Sequence, residues 1–443
     1  MKLIMKKVIT YGTFDLLHYG HIRLLQRAKE LGDYLIVGVT TDDFDKIRGK
    51  INVQQTLSER IEAVKATGLA DKIIVEEYEG QKIDDIKRYE IDIFTVGSDW
   101  NGKFDYLNNY CEVIYLDRTK GISSSKIRSE NKAIKLGLVG DYAPFMNKIQ
   151  KEDKYVNGIE VVAICSNNIN EMSEEIKSLP LITSDFDELL EKVDAVYLKS
   201  NPKEHYEQIK KALNKGKHIL CESPISISKA ESKELFELAE QKNLILLEAI
   251  RTAYSVAYSR LLLLLKAGKI GKVISVDATC TSLKNNGNIN SLLDWGPTAL
   301  LPVFQILGTQ YTSKNIISHF IDKNKENDGF TKIDFIYKDA VASIKIAERA
   351  KSEGELIVTG TEGYLYVPAP WWKTDYFEIR YEDITNNKRY FYQLDGEGIR
   401  YELLAFVRLI KEKKNMYYID KNTSLEISKI MEDFITKKDL LEI

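Results

Sequence analysis

The sequence predicts an α/β protein: one parallel-sheet domain, a second parallel-sheet domain, and an α+β antiparallel-sheet portion at the end. Three observations predict this. The chain has 443 residues, and a single hydrophobic core rarely serves more than about 250–300, so two or three domains are expected. Strand-like and helix-like runs alternate from Lys7 to about Glu130 and again from Ala133 to Leu247, the pattern of parallel βαβ units. From Val273 the pattern changes to short strands separated by turns.

The elements follow in order. Lys7 to Tyr11 is an apolar strand, Gly12 to Leu17 a turn, and His18 to Leu31 a helix with Ile22, Leu25, Ala28 and Leu31 at near-helical spacing. Gly32 stops that helix. Strands are expected at Tyr34 to Val39, Lys72 to Val75, Ile91 to Val96 and Val113 to Leu116, and helices at Ser58 to Gly68, Gln81 to Tyr89 and from about Ser124. The second series has strands at Ala133 to Gly140, Ile159 to Ser166, Ala195 to Lys199, His218 to Cys221 and Leu244 to Leu247. Its helices are Glu204 to Lys215 and Lys229 to Lys242. Val341 to Ile346, Leu356 to Thr359, Tyr364 to Val367 and Tyr376 to Tyr381 read as antiparallel strands, and Gly398 to Lys411 as a closing amphipathic helix. The expected domains are 1–130, 131–250 and 251–443.

Composition narrows the function. Lys plus Arg is 63 and Asp plus Glu 66, a net charge of −3, which gives no general attraction to nucleic acid or anionic lipid. Apolar runs such as Leu261 to Leu265 are far too short to cross a bilayer, and the N-terminus has no apolar signal region. A cytoplasmic protein with no membrane or nucleic-acid partner is expected, acting as a homodimer or higher homo-oligomer. Cys111, Cys165, Cys221 and Cys280 are widely spaced and read as reduced thiols, not a disulfide frame or zinc site.

Histidine is scarce: His18, His21, His205, His218 and His319. His18 and His21 lie one helical turn apart in Gly12-Thr13-Phe14-Asp15-Leu16-Leu17-His18-Tyr19-Gly20-His21, between a strand and its helix. Such a junction offers free N–H groups and a positive dipole end to phosphate. A lone histidine there would as readily cap or pack the helix; two of five argue for anion binding. Arg118-Thr119-Lys120-Gly121-Ile122-Ser123-Ser124-Ser125-Lys126-Ile127-Arg128 follows the domain's last strand and supplies hydroxyl donors and permanent charge. Taken together the two stretches make a two-sided triphosphate cradle.

These stretches, with Gly97-Ser98-Asp99-Trp100, resemble the HxGH nucleotidyltransferase superfamily and within it the glycerol-3-phosphate cytidylyltransferases, over about Lys6 to Glu130. The serine run resembles the cytidylyltransferase RTxGISTT signature with serines for threonines. The resemblance implies a Rossmann-like nucleotidyltransferase domain. In it a polyol phosphate attacks the α-phosphate of CTP, Mg²⁺ rides on the CTP, and a CDP-alcohol for cell-wall or capsule polymers forms. It implies that His18, His21, Lys50 and Arg118 are catalytic. Thr13, Phe14, His18, His21, Arg60, Asp99, Arg118, Thr119, Ser123, Ser124 and Ser125 would bind the nucleotide, and Lys46 or Lys50 the acceptor phosphate. No metal ligand from a side chain is assigned.

Residues from about Ile134 resemble the Gfo/Idh/MocA oxidoreductases through Asp194-Ala195-Val196, Asn201-Pro202-Lys203-Glu204-His205, Glu222-Ser223-Pro224, Glu248-Ala249-Ile250-Arg251-Thr252 and Leu293-Asp294-Trp295-Gly296. The chemistry departs from that family. Dinucleotide binding needs G-x-G-x-x-G or A; here the turn is Gly140-Asp141-Tyr142-Ala143-Pro144-Phe145, so Tyr142 and Phe145 stand where the backbone should be bare. In Glu222-Ser223-Pro224 the usual lysine is Ser223, and in Asp294-Trp295-Gly296-Pro297-Thr298 the proton donor is Thr298. The expectation is a degenerate dehydrogenase pocket that does not bind NAD(P) in the usual manner. Two alternatives stand beside it: an active reductase supplying the polyol phosphate, and a non-catalytic assembly or regulatory module.

Overall fold

A computed structural model describes residues 5–17, 19–47, 53, 55–78, 80–117, 133–283, 290–392, 394–412 and 418–443. The chain divides into two compact units, Met1–Ala133 and Ile134–Ile443.

In the first unit five parallel strands, β1 (Lys7–Gly12), β2 (Tyr34–Thr40), β3 (Lys72–Glu76), β4 (Ile93–Gly97) and β5 (Glu112–Leu116), are ordered β3-β2-β1-β4-β5. Alternation along β1 and β2 feeds both faces. Val8, Leu35, Val37 and Val39 pack into one core cluster, Ile9 and Ile36 into the other, as a sheet covered on both sides requires. Helix α1 (Tyr19–Glu30) buries Leu25 and Ala28 and carries Arg27 and Lys29 in its last turn, where the dipole favours cations. Gly32 follows its end, and glycine is needed there because a Cβ would come within 2.6 Å of the Lys6 carbonyl. The short helix α2 (Asp42–Ile47) was not foreseen. Helix α3 (Leu57–Ala66) starts one residue before the expected Ser58, because Thr56 caps it in a capping box with Glu59. Helix α4 (Gln81–Tyr89) stands as expected; the helix expected from Ser124 lies outside the described residues.

The topology places the site. Strand order reverses between β1 and β4, and in an open parallel sheet the crevice at the strand C-termini of that reversal receives ligands. The turns after Gly12 and after Gly97 both open there.

The second unit begins with six parallel strands: β6 (Ile134–Val139), β7 (Ile159–Cys165), β8 (Leu181–Thr183), β9 (Ala195–Leu198), β10 (His218–Glu222) and β11 (Leu246–Ala249). Their order is β11-β10-β9-β6-β7-β8. A second sheet follows, with strands β12 (Val273–Thr281), β13 (Ser313–Phe320), β14 (Asp328–Ile336), β15 (Val341–Ala347), β16 (Leu356–Gly360), β17 (Tyr364–Val367), β18 (Tyr376–Arg380), β19 (Lys388–Phe391) and β20 (Leu440–Glu442). The order is β19-β18-β17-β16-β12-β15-β14-β13-β20.

This sheet is mixed, which corrects the purely antiparallel expectation. β15 is antiparallel to β14 but parallel to β12 from Ser275↔Val341 to Thr281↔Ala347, and β20 is parallel to β13. The long connection between β12 and β15 contains the helix Ser291–Leu307, and a crossover of that length permits parallel pairing. Pro297 and Pro302 inside it hid this helix from the sequence. It is held by packing on the helix Lys421–Ile435, so closely that a Cβ on Gly296 would lie 2.9 Å from Met431.

Candidate active site and a second polar cleft

The turn Thr13–Leu17 is bolted in place from α2, α3 and the segment before α3. Phe14 and Leu16 have φ of 52° and 48°, a left-handed conformation that costs energy for residues with a Cβ and persists only where the surroundings enforce it. The enforcement is explicit. The Asp15 carboxylate accepts from the Gln55 amide N–H at 2.9 Å, and the Leu16 N–H donates to the Gln55 side-chain oxygen at 2.7 Å. The Thr13 hydroxyl donates to buried Asp45 at 2.9 Å. The Phe14 ring is buried and meets the His21 imidazole edge-on, centroids 5.6 Å apart. His21 lies in the first turn of α1, half-buried.

Arg60 is placed differently from expectation. It is fully buried on α3. Its guanidinium donates to the carbonyls of Thr13 (2.7 Å), Thr40 (2.8 Å) and Gln55 (3.1 Å) and pairs with Asp42. At least four of its five N–H donors are thus spent inside the protein, so it clamps the turn instead of facing solvent. Asp99 is exposed in the 3-10 turn Ser98–Trp100, at the C-terminal end of β4. Lys46 lies on α2, its side chain outside the described atoms. His18, Lys50, Arg118, Thr119, Ser123, Ser124 and Ser125 lie outside the described residues. Among those described, no group of three His, Cys, Asp or Glu side chains is placed to hold a metal ion, and no helix is long and apolar enough to cross a membrane. Sequence reasoning missed Asp45 and Gln55, whose roles depend on contacts more than thirty residues away.

The second unit carries a cleft of about 610 Å³ where the C-terminal ends of its parallel strands meet the mixed sheet. Gly140, Tyr142, Phe145, Glu222, Ser223, Asp294 and Thr298 all line it, as do Lys199, Arg251, Glu348 and Glu397, to which the sequence assigned no site role. Gly140 must be glycine: φ is +147° and a Cβ would lie 2.4 Å from the Lys199 carbonyl. Tyr142 is exposed at the rim; Phe145 is buried, its ring edge-on to Tyr197 and below Lys199 and Arg251. The helix that opens here, Ala143–Glu152, has few free donors. Pro144 has no N–H, and those of Phe145 and Met146 are spent on the Tyr142 carbonyl. Asp141 accepts from the Ser166 hydroxyl and the Asn167 N–H at 2.8 and 2.7 Å.

Acid groups dominate the cleft floor. The Tyr197 hydroxyl lies 2.7 Å from Glu222 and 2.6 Å from Glu402. One hydroxyl has one proton, so two ionised acceptors cannot both be satisfied by it. Burial first, and then the Glu222 charge, push Glu402 up to about 8, which leaves it protonated at neutral pH. Burial and the neighbouring Asp294 raise Glu348 to about 7. Lys199 lies 3.6 Å from Glu222. Ser223 gives its hydroxyl to Glu248, which burial raises to about 7. Pro224 is buried, and its carbonyl meets Nδ1 of His205 at 2.8 Å. His205 is buried too, and desolvation lowers it to about 4, so it is a neutral structural clamp. Lys199 does carry a sequence signal, a charge ending an apolar strand of a parallel sheet; Glu397 carries another in its flanking glycines.

The parallel sheet with its strained, helix-opening turn at the order reversal is the frame of a nucleotidyltransferase, and comparison with known proteins agrees. The cytidylyltransferase-like family matches residues 9–130, and the Gfo/Idh/MocA oxidoreductase family, with its NAD-binding Rossmann fold, matches residues 135–249. Glycerol-3-phosphate cytidylyltransferase of Staphylococcus aureus is 51% identical over 126 residues, 28% of this chain and 95% of that protein. The Bacillus subtilis protein of the same name is 51% identical over 28% of this chain and 97% of its own length. This chain belongs to the cytidylyltransferase-like family through its first unit, and carries an oxidoreductase-like second unit fused to it. A 3-ketoreductase from Actinomadura kijaniata, solved with NADP and TDP-benzene, shares the fold of that second unit. It covers 70% of this chain and 99% of its own, with a TM-score of 0.62 and 18% identity. An oxidoreductase from Thermotoga maritima matches similarly, at TM-score 0.58 and 21% identity over 69% of this chain and 97% of its own.

Proposed function

We propose that the first unit transfers the cytidylyl group of CTP to glycerol 3-phosphate, or a close polyol phosphate, releasing pyrophosphate and a CDP-alcohol. The observation that carries this is the match of residues around the His18-Tyr19-Gly20-His21 turn to relatives of that name over nearly their whole length. A phosphate oxygen of the acceptor attacks the α-phosphorus of CTP in line, and the bond to the β-phosphate oxygen breaks. Such a reaction asks for positioning and charge stabilisation more than for covalent catalysis. His18 and His21 stabilise charge on the transferred group and leaving pyrophosphate. Backbone N–H groups of Thr13 and Phe14, with Arg118, Thr119 and Ser123 to Ser125, hold the triphosphate. Asp99 serves the nucleotide, Lys46 or Lys50 receives the acceptor phosphate, and Arg60 positions the turn. Mg²⁺ enters with the CTP phosphates.

The second unit, in this proposal, transfers no hydride. The turn after β6 fits a dinucleotide poorly: it offers few N–H groups, carries the Asp141 carboxylate, and sets the Tyr142 side chain at the rim where a bare backbone is needed. Ser223 and Thr298 have hydroxyls that titrate far from neutrality. Incubation with CTP, Mg²⁺ and a panel of polyol phosphates, following pyrophosphate, tests the first proposal. Release dependent on glycerol 3-phosphate supports it, and release dependent only on a different acceptor class overturns it.

A further inference from the structure

At one side of the second unit's cleft three cations from three separate elements converge on a single carboxylate. Lys148 of the helix Ala143–Glu152 lies 2.8 Å from one oxygen of Glu397. Lys373, of the 3-10 turn Trp371–Lys373, lies 2.7 Å from the other, and Arg251 stands 3.9 Å from that same oxygen. Burial alone would raise the Glu397 carboxyl; Lys148 and Lys373 overcome this and hold it down to about 2. The residue is brought there by an unusual piece of backbone. Gly396, Glu397 and Gly398 have φ of 56°, 52° and 91° in succession, and the middle one is a residue for which that region is unfavourable.

The match between cradle and carboxylate is incomplete. A carboxylate has two oxygens, both taken by lysines; the Arg251 guanidinium, which also feels the Glu222 and Glu402 carboxyls, stands beyond hydrogen-bond distance of Glu397. A phosphate monoester presents three terminal oxygens and two charges, and arginine and lysine are the side chains that recognise it. Elsewhere the cleft is lined by Trp295 and Trp372, edge-on with centroids 5.0 Å apart, and by the carboxyls of Asp294 and Glu348. Indole faces and carboxyls suit a hydroxylated carbon chain: one packs its C–H groups, the other accepts its hydroxyl protons.

We propose that this cleft binds a hydroxylated phosphate monoester, a sugar or polyol phosphate, whose phosphate displaces Glu397 from Lys148, Lys373 and Arg251. Glu397 is the internal occupant of that anion site when the ligand is absent. The proposal is independent of cytidylyl transfer, because every residue in it belongs to the second unit.

Calorimetric titration of the full-length chain with D-ribose 5-phosphate tests it, with D-ribose and inorganic phosphate as companion probes. The expected result is saturable binding of ribose 5-phosphate only. It should tighten about tenfold in E397Q, where the competing charge is gone, and weaken about tenfold or more in R251A and in K148A, since each removes a charge-assisted contact. Circular dichroism confirms the fold of each variant, and K148A, on an exposed position, serves if R251A does not fold. The proposal is overturned by an unchanged affinity in E397Q, by R251A and K148A both binding like the parent, which would place the ligand in the first unit, by inorganic phosphate or ribose alone binding as tightly, or by no binding at millimolar ligand.

Discussion

The guanidinium of Arg60 donates a 2.7 Å hydrogen bond to the carbonyl of Thr13, linking helix α3 to the turn that opens the nucleotide crevice. The same side chain reaches Thr40, Gln55 and Asp42, and stands 3.9 Å from buried Asp45. One arginine therefore fixes three separate stretches of backbone around the site. Arg60→Ala leaves the carbonyls of Thr13, Thr40 and Gln55 without this donor, and losing the partner of a buried polar group costs about 1–3 kcal/mol. Denaturant unfolding should show the first unit destabilised by that order, with catalysis falling as a consequence. A variant that keeps parental stability and loses only CTP affinity would show Arg60 to be a direct triphosphate ligand.

His21 should behave in the opposite way. It is half-buried in the first turn of α1 and packs edge-on against Phe14. His21→Ala should lower kcat by ~10²–10⁴-fold, the range for a charge-stabilising or proton-handling group, with little change in unfolding midpoint. Loss of folding with full activity per folded molecule would mark the histidine as packing only.

The second unit should lose stability as pH rises. Glu402 sits at about 8 in the folded protein against an ordinary 4.5, and burial raises Glu248 and Glu348 to about 7. Between the unfolded and folded values the native state holds more protons than the unfolded chain, so stability falls with rising pH across that window. It is fully present below about 4.5 and lost by the time the pH passes 8. Glu402→Gln keeps the hydrogen-bonding shape without the ionisation. Its unfolding midpoint should equal or exceed the parent's at pH 8.5 by more than at pH 5.5. A parent whose second-unit stability rises from pH 5.5 to 8.5 would contradict the assignment.

NADH and NADPH, titrated against the full-length chain and followed by nicotinamide fluorescence, should show no saturable binding. Micromolar saturation, with oxidation on adding a ketose phosphate, would restore the bifunctional reading.

Much of this was legible in the sequence, for identifiable reasons. Apolar strands such as Lys7–Gly12 announce themselves because both faces of a parallel sheet are buried, and the Gly12-to-His21 turn because glycine, hydroxyl and histidine cluster at a strand-to-helix junction. What was not legible depends on distance or on packing. The resemblance implied Arg60 as a nucleotide ligand; only the fold shows its donors turned inward. The helix Ser291–Leu307 was masked by two prolines that tertiary packing tolerates. Strand and helix patterns also do not show that Lys148, Lys199 and Arg251 line the same cleft as Asp141, because the fold brings them together from three separate elements. The mixed pairing of β12 with β15 could not be read from strand propensity, which carries no direction.

The central claim is that the first unit is a cytidylyltransferase, and its most direct test is the initial rate of pyrophosphate release with glycerol 3-phosphate and Mg²⁺, compared between CTP and ATP at equal concentration. Rapid release with CTP and little with ATP are expected, with a product whose phosphorus spectrum shows the coupled pair of a CDP-alcohol diphosphate. Release with ATP alone, or none with CTP in a protein whose His21→Ala variant behaves identically, would contradict it.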